Sequence, residues 1–571
     1  MTHFEIRKIF LDFFKERGHK ILPSSSLIPQ KDPSLLFVNA GMNQFKSVIL
    51  GLEKPPEKNV VTIQKCLRAG GKHNDLENVG QTSYHHTFFE MMGNFSFGGY
   101  FKKQAIGLAW EFLTQKLKLP LEDLWVSVYE KDEESYEIWR NEQKIPENKI
   151  YRMGKEDNFW QMGDTGPCGP CTEIHYYGGK EKTPDPSQLI EIWNLVFMEF
   201  DDKGSGKREK LSVPCVDTGM GLERLCAILQ NKKSNYHTDY FKEIISSLEK
   251  ASGCKYDFTE TDQNEKQMAF RVLADHSRAA AFLMSDGVLP GNEGRSYVLR
   301  RILRRAFFYS HKLNPKVNLP QKGAEALISL MKDIYPELER EVGLITSHIE
   351  AEDKQFSESL SFAIKTFSKK EKWTDLHELK SLQLYKKINK GEEKEQLFEE
   401  LSKDSDFIQA KIPKSSIEMK VKNFEFLDTE KSGLQNASKK SKEIFNKYGS
   451  LSIEKLQAVI EKSQDKKCLD SSLVWYFYST HGLPFDLTRL MAEEQGYQVN
   501  LEEVEKLKEK QISDFEKKTG QGDQENLLQG LSQLALLRGL KETKFTGYET
   551  KTETSRILEI GSLSEDKELT S

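Results

Sequence analysis

The first residues follow a helical pattern of apolar positions. Apolar side chains recur at the spacing of one helix face, at Phe4, Ile6, Ile9, Phe10, Phe13 and Phe14. Thr2 and Glu5 have the spacing of a capping box, and Gly18 is placed to end the helix. The pattern therefore predicts an N-terminal amphipathic helix that packs through its phenylalanine face.

From about Leu22 to Ser234 the pattern changes to short apolar runs separated by glycine-rich turns. These runs have the length of strands, and they are Leu35–Val38, Asn59–Ile63, Leu124–Tyr129 and Ile190–Glu199. A helical stretch, Gln104–Lys118, lies between them. Strands with long irregular insertions, rather than regular βαβ repeats, indicate an α+β domain around a mostly antiparallel sheet.

Beyond Tyr236 the pattern is helical. The predicted helices are Tyr240–Glu249, Gln267–Met284, Tyr297–Lys312, Gly323–Lys332 and Glu337–Thr366. The stretch Lys369–Asp470 is dense in lysine and glutamate with few large apolar residues, which is typical of a solvated helical insertion. Lys544–Ile560 alternates like a strand shortly before the last residue, so we expect the first edge of an incomplete β-barrel.

Composition narrows the class of protein. The 571 residues carry a net charge of -5, so any polyanion must be held by a local basic patch. Seven cysteines are sparse and odd in number, which favours a reducing compartment, and we expect the cytoplasm. The sequence has neither an apolar run near the ~20 residues of a membrane span nor a signal-peptide core, so we expect no membrane partner.

The segment Val216–Arg224 is the most informative short motif. Gly219 and Gly221 would let a ligand approach the backbone closely where a strand feeds a helix. Arg224 then falls in the first helical turn, where the positive helix end favours phosphate. The alternative is a glycine-rich turn with a solvated arginine, and the segment alone does not decide between the two.

A second candidate phosphate site lies near Arg68, at the end of a predicted strand. A polar loop follows, and a returning strand would place Arg68, His85 and Phe89 on one sheet face. Strand alternation also assigns Thr87 to that face. Two cationic groups and an aromatic ring could hold a triphosphate and stack an adenine. In the alternative, Phe88 and Phe89 are core residues, which must hold for one of them.

The sequence does not predict a zinc site. Cys168 and Cys171 form a Cys-x-x-Cys pair, but four-coordinate zinc needs four ligands. Cys215 and His175 are the only nearby candidates, and neither has finger-like spacing. A His-x-x-x-His pair is also lacking. We interpret the pair as packed cysteines in a rigid loop.

The predicted helix after Gly294 is rich in arginine. Its cationic residues are Arg295, Arg300, Arg301, Arg304 and Arg305, with Lys312 beyond. Residues 297, 301, 304 and 308 share one face, and residues 298, 302, 305 and 309 lie beside it. The mixture of aromatic and cationic side chains would suit a nucleic-acid backbone. An ordinary solvated face is the alternative.

Together these segments resemble the bacterial type of alanyl-tRNA synthetases, a family of class II aminoacyl-tRNA synthetases. The stretches that carry the resemblance are Pro23–Lys46, Arg68–Gly80, His85–Gly98, Asp157–Ile174, Glu191–Phe200, Val216–Arg224 and Gly291–Ala306. The match is collinear from about Phe4 to Lys312 and resumes at Trp475–Thr488 and Phe545–Tyr548.

The resemblance implies a role for each matching residue. Pro33 and its surroundings correspond to class II motif 1. The implied catalytic residues are Arg68 and Arg224. The implied ATP-binding residues are Arg68, His85, Phe89, Gly221 and Arg224. The implied alanine-binding residues are Met42, Trp160, Asn194, Val196, Asp217 and Gly219. The implied tRNA-binding residues are Asn292, Arg295, Arg300, Arg301, Arg304, Arg305 and Ser479. Mg²⁺ is implied with ATP, without identified protein ligands.

The fold implied is a class II antiparallel sheet flanked by helices, then a helical tRNA-recognition domain and the first strands of an incomplete β-barrel. We place these domains at residues 1–237, 238–540 and 541–571, with the insertion at about 369–470.

The sequence departs from the family pattern at Ser479, where the family usually has an aspartate near the asparagine that reads the G·U pair. The chain also ends before the family's zinc-bearing editing domain and oligomerisation region, so we expect a monomer without zinc.

The expected function is ATP-dependent ligation of L-alanine to the acceptor stem of its tRNA through an alanyl-adenylate. One alternative is a synthetase-like tRNA-binding or regulatory paralogue, against which the two arginines and Asp217 argue. Another alternative is alanine activation for a different carrier.

Overall fold

The computed structural model describes most of the chain, and the described residues are 1–30, 32, 35–70, 73–163, 165–179, 181, 184–204, 207–259, 264–369, 375–403, 414–428, 439–448, 450–464, 468–469, 471–493, 498–507, 562–563 and 569–570. The chain forms two compact units, Met1–Lys467 with Tyr476–Gln498, and Cys468–Trp475 with Val499–Ser571. The predicted boundary at residue 237 falls inside the first unit and stays a prediction.

The N-terminal helix α1, His3–Glu16, forms as predicted. Thr2 and Glu5 make the capping box, and Gly18 adopts a positive φ of 82° just after the helix. The buried face of α1 presents Ile6, Phe10, Phe13 and Phe14. Phe4 was predicted to share this face but is 40% exposed.

A nine-stranded sheet dominates the first unit. In chain order the strands of the N-terminal region are β1 Lys20–Ile21, β2 Asn59–Leu67, β3 Ala69–Gly70, β4 His73–Asn74, β5 Phe88–Phe97, β6 Leu124–Tyr129, β7 Ile150–Met153, β8 Phe159–Gln161, β9 Gly166–Tyr176, β10 Ile190–Asp202 and β11 Arg208–Gly221. The sheet order is β1-β2-β5-β11-β10-β9-β6-β7, with β8 on β9 and a separate β3–β4 hairpin. Only the β1–β2 and β6–β7 pairs of this sheet are parallel among the described strands, so the prediction of a mostly antiparallel sheet is confirmed.

Leu35–Val38, which the sequence suggested as a strand, is irregular instead. Val38 donates its N–H to the carbonyl of Leu27 at 2.9 Å and accepts from the N–H of Leu67 at 2.8 Å. The apolar run is therefore paired locally with a loop and with the end of β2, and it does not continue as a strand.

Helices flank the sheet and follow it in the chain. Those up to Lys369 are α2 Lys46–Ile49, α3 Lys102–Glu111, α4 Glu133–Glu137, α5 Lys155–Asn158, α6 Leu222–Leu229, α7 Asp239–Ser252, α8 Glu265–Ser285, α9 Gly294–Leu313, α10 Leu319–Met331, α11 Pro336–Arg340 and α12 Val342–Lys369. The five helices predicted after Tyr236 are confirmed, although the last of them divides into α11 and α12. Of the helices that the structure describes, none combines the length and apolar character needed to cross a membrane.

Alternation along β10 separates two apolar clusters. Trp193, Leu195 and Phe197 pack in the cluster that includes α1 and α3. Val196 and Met198 belong to the cluster on the opposite side, which also includes Met42 from a 3₁₀ turn at Gly41–Phe45. Since α1 covers the first face, the second face is the one left for a ligand.

A buried carboxylate, Glu90 on β5, joins the sheet to distant helices. It pairs with the Arg7 guanidinium and accepts hydrogen bonds from the hydroxyls of Tyr240 at 3.0 Å and Tyr335 at 2.6 Å. Burial alone would raise the pKa of Glu90, but Arg7 and the hydroxyl of Tyr335 hold it below its usual value. Helices α1, α7 and α11 therefore meet at one charged group inside the protein.

The lysine- and glutamate-rich insertion is helical, as predicted. Its described helices are α13 Asp375–Asn389, α14 Lys394–Ser402, α15 Lys414–Asp428, α16 Lys439–Tyr448 and α17 Ile453–Gln464. The insertion also has an apolar core of its own, which includes Leu382, Phe398, Ile417, Phe424 and Leu456. The apolar residues are few and spaced widely along the sequence, but they meet in the helical bundle.

Later elements are α18 Ser471–His481, α19 Phe485–Glu493, and the two-residue strands β12 Cys468–Leu469, β13 Gln498–Val499, β14 Ser562–Leu563 and β15 Leu569–Thr570. Strands β14 and β15 pair antiparallel. Lys544–Ile560, predicted as a strand, lies outside the described residues, and so does most of the predicted barrel region.

Candidate active site

A cavity of about 310 Å³ opens where β5 and β11 meet the start of α6. Arg68 and Arg224, which are far apart in the sequence, both line it. The other predicted nucleotide residues that line it are His85, Phe89 and Gly221, with Gly219 beside them. The structure therefore brings all the predicted phosphate and adenine contacts to one place.

Arg68 and Phe89 face each other across adjacent strands. The Arg68 guanidinium carbon lies 4.9 Å from the centroid of the Phe89 ring, and Nε donates to the Asn39 carbonyl at 3.3 Å. Phe89 is half-buried, whereas Phe88 is fully buried and stacks on Phe282 with ring centroids 4.1 Å apart. The first phenylalanine thus belongs to the core and the second to the cavity.

His85 lines the cavity, but it precedes β5, which starts at Phe88. The prediction that Thr87 shares its face is wrong. The Thr87 N–H and hydroxyl both donate to the Asp275 carboxylate of α8, beneath the sheet. Strand alternation does not apply before Phe88, because these residues still belong to the loop. Burial lowers the pKa of His85.

Arg224 is held at the start of α6, as predicted. Its Nη1 donates to the Glu191 carbonyl at 2.6 Å and lies 3.4 Å from the Glu191 carboxylate. The guanidinium carbon is also 5.6 Å from the centroid of the Tyr84 ring. Glu191 on β10 and the Tyr84 ring in the loop before β5 therefore both contact Arg224, and they hold its guanidinium at the cavity.

The register of β10 and β11 gathers the predicted alanine residues. Asn194 lies opposite Gly219, and Val196 lies opposite Asp217. Val196 and Met42 pack in one apolar cluster, with Trp160 against it. A Cβ at Gly219 would come within 2.8 Å of the Met91 sulfur, so glycine keeps this part of the strand open. All six predicted residues thus lie on or against one sheet face, next to the nucleotide cavity.

Two of these residues, Asn194 and Asp217, have side-chain oxygens that accept no hydrogen bond from the described residues. Asp217 is 6% exposed, and no donor among the described residues contacts its carboxylate. Burial raises its pKa to about 7. Asn194 donates through Nδ2 to Glu173 at 2.7 Å, while its buried Oδ1 has no partner within the described part of the chain. Both are acceptors of the kind that a cationic group can satisfy.

Carboxyl groups that raise one another's pKa lie beside the cavity. Burial, with the neighbouring carboxylates of Glu191 and Asp157, raises the pKa of Glu173 to about 9. Glu191 itself lines the cavity. Glu191 is therefore the carboxylate placed to meet a divalent cation that arrives with a polyphosphate, although the described residues hold no group of three or more potential metal ligands close enough to bind an ion alone.

The α9 arginines do not form one open strip. Residues 298, 302, 305 and 309 are all buried. Arg305 is 5% exposed and donates to the Val79 carbonyl at 3.0 Å. Only one of the two predicted faces is therefore available to a ligand, and Arg305 lies on the other.

The remaining α9 arginines have partners within the protein. Arg295 donates to the carbonyls of Leu36 at 2.5 Å and Leu35 at 3.1 Å. The Nε atoms of Arg300 and Arg304 lie 2.9 and 3.3 Å from the buried carboxylate of Glu352.

The exposed end of α9 brings together two predicted tRNA contacts. Arg300 also donates to the side-chain oxygen of the exposed Asn292, while Arg301 lies 3.5 Å from Glu77. Ser479 on α18 is exposed. Pro33, the predicted centre of motif 1, lies outside the described residues.

The Cys-x-x-Cys pair is structural in this fold. Cys168 and Cys171 lie on β9 and are buried, and both are unpaired thiols. A Cβ at the intervening Gly169 would come within 1.8 Å of the Phe197 carbonyl, so this strand packs closely on β10. The packing interpretation accounts for the motif.

Sequence reasoning missed several residues of the cavity, chiefly Asp75, Tyr84, Glu191 and Asn235. A register shift between Glu191 and Trp193 interrupts the alternation of β10 there. Glu191 could have been suspected from its place three residues before Asn194, but no sequence signal marks the shift. A larger, shallow depression of about 770 Å³ runs along α3 and contains none of the predicted residues.

Comparison with known proteins shows the family of the chain. The family described as tRNA synthetases class II (A) matches residues 5–389 and 395–570. The chain therefore belongs to this family.

Relatives at about half identity are alanine–tRNA ligases. That of Idiomarina loihiensis is 51% identical over 368 residues, which are 63% of this chain and 42% of the relative. That of Desulfosudis oleivorans is 50% identical over 377 residues, 64% of this chain and 43% of the relative. That of Acidithiobacillus ferridurans is 52% identical over 363 residues, 62% and 41% respectively. The chain thus spans about two fifths of the length of the curated relatives it matches.

Among solved structures, pyrrolysyl-tRNA synthetase from Desulfitobacterium hafniense overlaps with a TM-score of 0.26 and 11% identity, covering 42% of this chain and 72% of that one. An overlap of this size carries no argument, and the description of the fold rests on the sheet itself.

Proposed function

We propose that this protein activates L-alanine with ATP and transfers it to the acceptor end of an alanine tRNA. The observation that carries the proposal is the arrangement on one sheet face. Arg68 and Arg224 line one cavity, and the unpaired acceptors of Asn194 and Asp217 lie on the same pair of strands. A polyphosphate and an ammonium group are the ligands that these two sets of groups suit.

In the first step the alanine carboxylate attacks the α-phosphorus of ATP in line, and pyrophosphate leaves. Negative charge develops on the phosphoryl oxygens, so Arg68 and Arg224 stabilise the transition state more than the ground state. The Asp217 carboxylate and the Asn194 oxygen bind the ammonium and thereby fix the direction of attack. Val196 and Met42 surround the methyl group.

The nucleotide is held by the remaining residues of the cavity. Phe89 offers a face on which adenine stacks, and a ring N–H of His85 donates a hydrogen bond to a phosphate oxygen. Mg²⁺ bound to ATP would be held by Glu191, whose carboxylate lines the cavity. When bound, the ion supplies charge neutralisation of the phosphates.

In the second step a ribose hydroxyl of the terminal adenosine of the tRNA attacks the adenylate carbonyl, and AMP leaves. The exposed end of α9, with Asn292 and Arg300, is the surface that we assign to the acceptor stem. Ser479 has no carboxylate, so it contributes at most a hydroxyl to this recognition. Six cysteines are free thiols, which supports placement in a reducing compartment, the cytoplasm; they are Cys66, Cys168, Cys171, Cys215, Cys226 and Cys254.

Alanine-dependent exchange of pyrophosphate into ATP tests the first step, and charging of an alanine tRNA with or without its G·U pair tests the second. We expect exchange with alanine and charging of the tRNA that carries the pair. Exchange without charging of any alanine tRNA would favour a different carrier. Absence of exchange with intact tRNA binding would favour a paralogue that has lost the reaction.

A further inference from the structure

A buried line of hydrogen bonds runs from α9 to the last part of the polar loop between β2 and β5, here residues 73–83. We propose that Arg305, His276 and Asp275 are positioning residues that hold this loop in its nucleotide-binding conformation. The proposal rests on the proposed function, and it assigns to Arg305 a role different from tRNA contact.

The direction of the hydrogen bonds follows from the arginine. Arg305 Nη1 lies 2.9 Å from His276 Nε2. Because a guanidinium can only donate, Nε2 must accept and carries no proton. The proton is then on Nδ1, which donates to the Asp275 carboxylate at 2.9 Å. His276 is thus a neutral relay, and it links a cation on α9 to an anion on α8.

Asp275 transmits this link to the strand entrance. Its oxygens lie 3.1 and 3.2 Å from the Thr87 N–H and also accept from the Thr87 hydroxyl. Burial alone would raise its pKa, but the hydrogen bond from His276 and the His86 ring 3.4 Å away hold the pKa well below the usual value, so the carboxylate stays ionised. The Thr87 carbonyl in turn accepts from the N–H of Arg68 at 2.7 Å.

The loop itself is held at two neighbouring carbonyls. Arg305 Nη2 donates to Val79 at 3.0 Å, and Arg271 Nε on α8 donates to Gly80 at 2.9 Å. Gly80 has a φ of +89°, and a Cβ there would come within 2.6 Å of Val272. Only glycine allows so close an approach to α8. Two helices from beyond the sheet therefore fix the loop between Arg68 and His85.

Loss of these hydrogen bonds should affect nucleotide binding more than alanine binding, whereas loss of ordinary core packing would affect both. The anchored carbonyls and Thr87 belong to the segment that carries the nucleotide contacts. The predicted alanine contacts Val196 and Asp217 lie on β10 and β11, which none of these hydrogen bonds touches. Loss of the relay should therefore weaken ATP binding selectively, because the loop gains conformations that do not bind.

The test uses three substitutions at His276 in the full chain. His276→Leu removes both hydrogen bonds, His276→Asn keeps a donor near Nδ1 for Asp275, and His276→Gln keeps an acceptor near Nε2 for Arg305. In alanine-dependent pyrophosphate exchange, we expect His276→Leu to raise the KM for ATP about tenfold and to change the KM for alanine less than twofold. The Asn and Gln variants should each recover part of the loss, and they keep the test decisive if the Leu variant does not fold.

A second readout does not depend on activity. Amide hydrogen exchange at Val79, Gly80 and Thr87 should speed up in His276→Leu, while exchange within β10 stays unchanged. The matched control is Lys102→Met. Lys102 is 5% exposed and pairs with Asp132 at 2.8 Å, so the control also breaks a buried ion pair, but none of its partners lines the nucleotide cavity.

Unchanged ATP KM and unchanged amide exchange in His276→Leu would overturn the proposal. Equal increases in both KM values, matched by Lys102→Met, would overturn it too, because they would show general destabilisation. If the wild-type protein shows no alanine-dependent exchange, the proposed function fails, and the amide measurement still decides whether the relay holds the loop.

Discussion

The cavity and α9 are both rich in charged groups, but these groups have different partners. In the cavity, neither Arg68 nor Asp217 has an oppositely charged neighbour among the described residues. On α9, Arg300 and Arg304 share the buried carboxylate of Glu352, and Arg305 is bound within the fold. Arg68 and Asp217 are therefore ready for a ligand, whereas Arg304 and Arg305 mainly hold other parts of the fold. Arg224 is intermediate, because it lines the cavity and also lies 3.4 Å from the Glu191 carboxylate.

The largest effect should come from the unpaired arginine. We expect Arg68→Ala to lower the kcat/KM of alanine-dependent pyrophosphate exchange about 10³-fold, because it removes a charged donor to the developing phosphoryl charge. Arg17→Ala is a suitable control, since Arg17 pairs at 2.5 Å with Glu111 away from the cavity. If Arg68→Ala lowers kcat/KM less than tenfold, the difference between the unpaired groups of the cavity and the paired groups of α9 has no functional meaning.

The unpaired carboxylate should produce a pH dependence. With a pKa of about 7, Asp217 is mostly protonated at pH 6 and mostly ionised at pH 8. Only the ionised form pairs with the alanine ammonium, so the KM for alanine should fall about tenfold between these pH values. In Asp217→Asn this dependence should disappear. Exchange kinetics at varied alanine concentration across that range measure it.

The same group has the opposite effect on stability. The folded protein binds the Asp217 proton more tightly than the unfolded chain does, because burial raises the pKa from 3.8 to about 7. The stability that this proton contributes is therefore present below about pH 4 and is lost as the pH rises towards 7. Urea unfolding of wild type and Asp217→Asn should show the difference between pH 4 and 7, with the wild type losing more stability.

At the exposed end of α9 we expect a smaller and more specific effect. Asn292→Ala should lower charging of the tRNA that carries the G·U pair about tenfold and change pyrophosphate exchange less than twofold, because a base contact contributes about 1–3 kcal/mol. Comparable losses in both reactions would mean that α9 acts through the cavity rather than through the tRNA.

The smallest effect should follow from freeing the paired arginines. Glu352→Gln removes the shared partner of Arg300 and Arg304, so tRNA binding should tighten about twofold at low salt and weaken more steeply as salt is added. Binding measured between 50 and 200 mM salt tests this. Unchanged salt dependence would mean that these two arginines do not face the nucleic acid.

Local patterns predicted the parts of the site that lie on neighbouring segments. The hairpin from β2 to β5 places Arg68 beside Phe89, and the glycine motif places Arg224 in the first turn of α6. Both follow from turn and helix signals within about twenty residues. The burial of Phe88 beside the half-buried Phe89 follows from the period of the strand.

Other features depend on distant packing and could not be predicted locally. Glu191 reaches the cavity because the register of β10 shifts there, and Thr87 turns away because Asp275 offers it a buried acceptor. Arg305 and Arg301 are four residues apart on one helix, yet only Arg305 is buried. Packing against α8 and the polar loop decides which face of α9 is buried. The spacing of the arginines along the sequence contains no information about those contacts.

The carboxylate of Glu90 also has a consequence for how the protein is made. Its partners come from Arg7 and from Tyr335, so about 245 residues must follow Glu90 out of the ribosome before its surroundings are complete. Until then a growing chain would have to keep this acid solvated or protonated. The centre of the sheet should therefore consolidate late in translation, only after α11 has emerged.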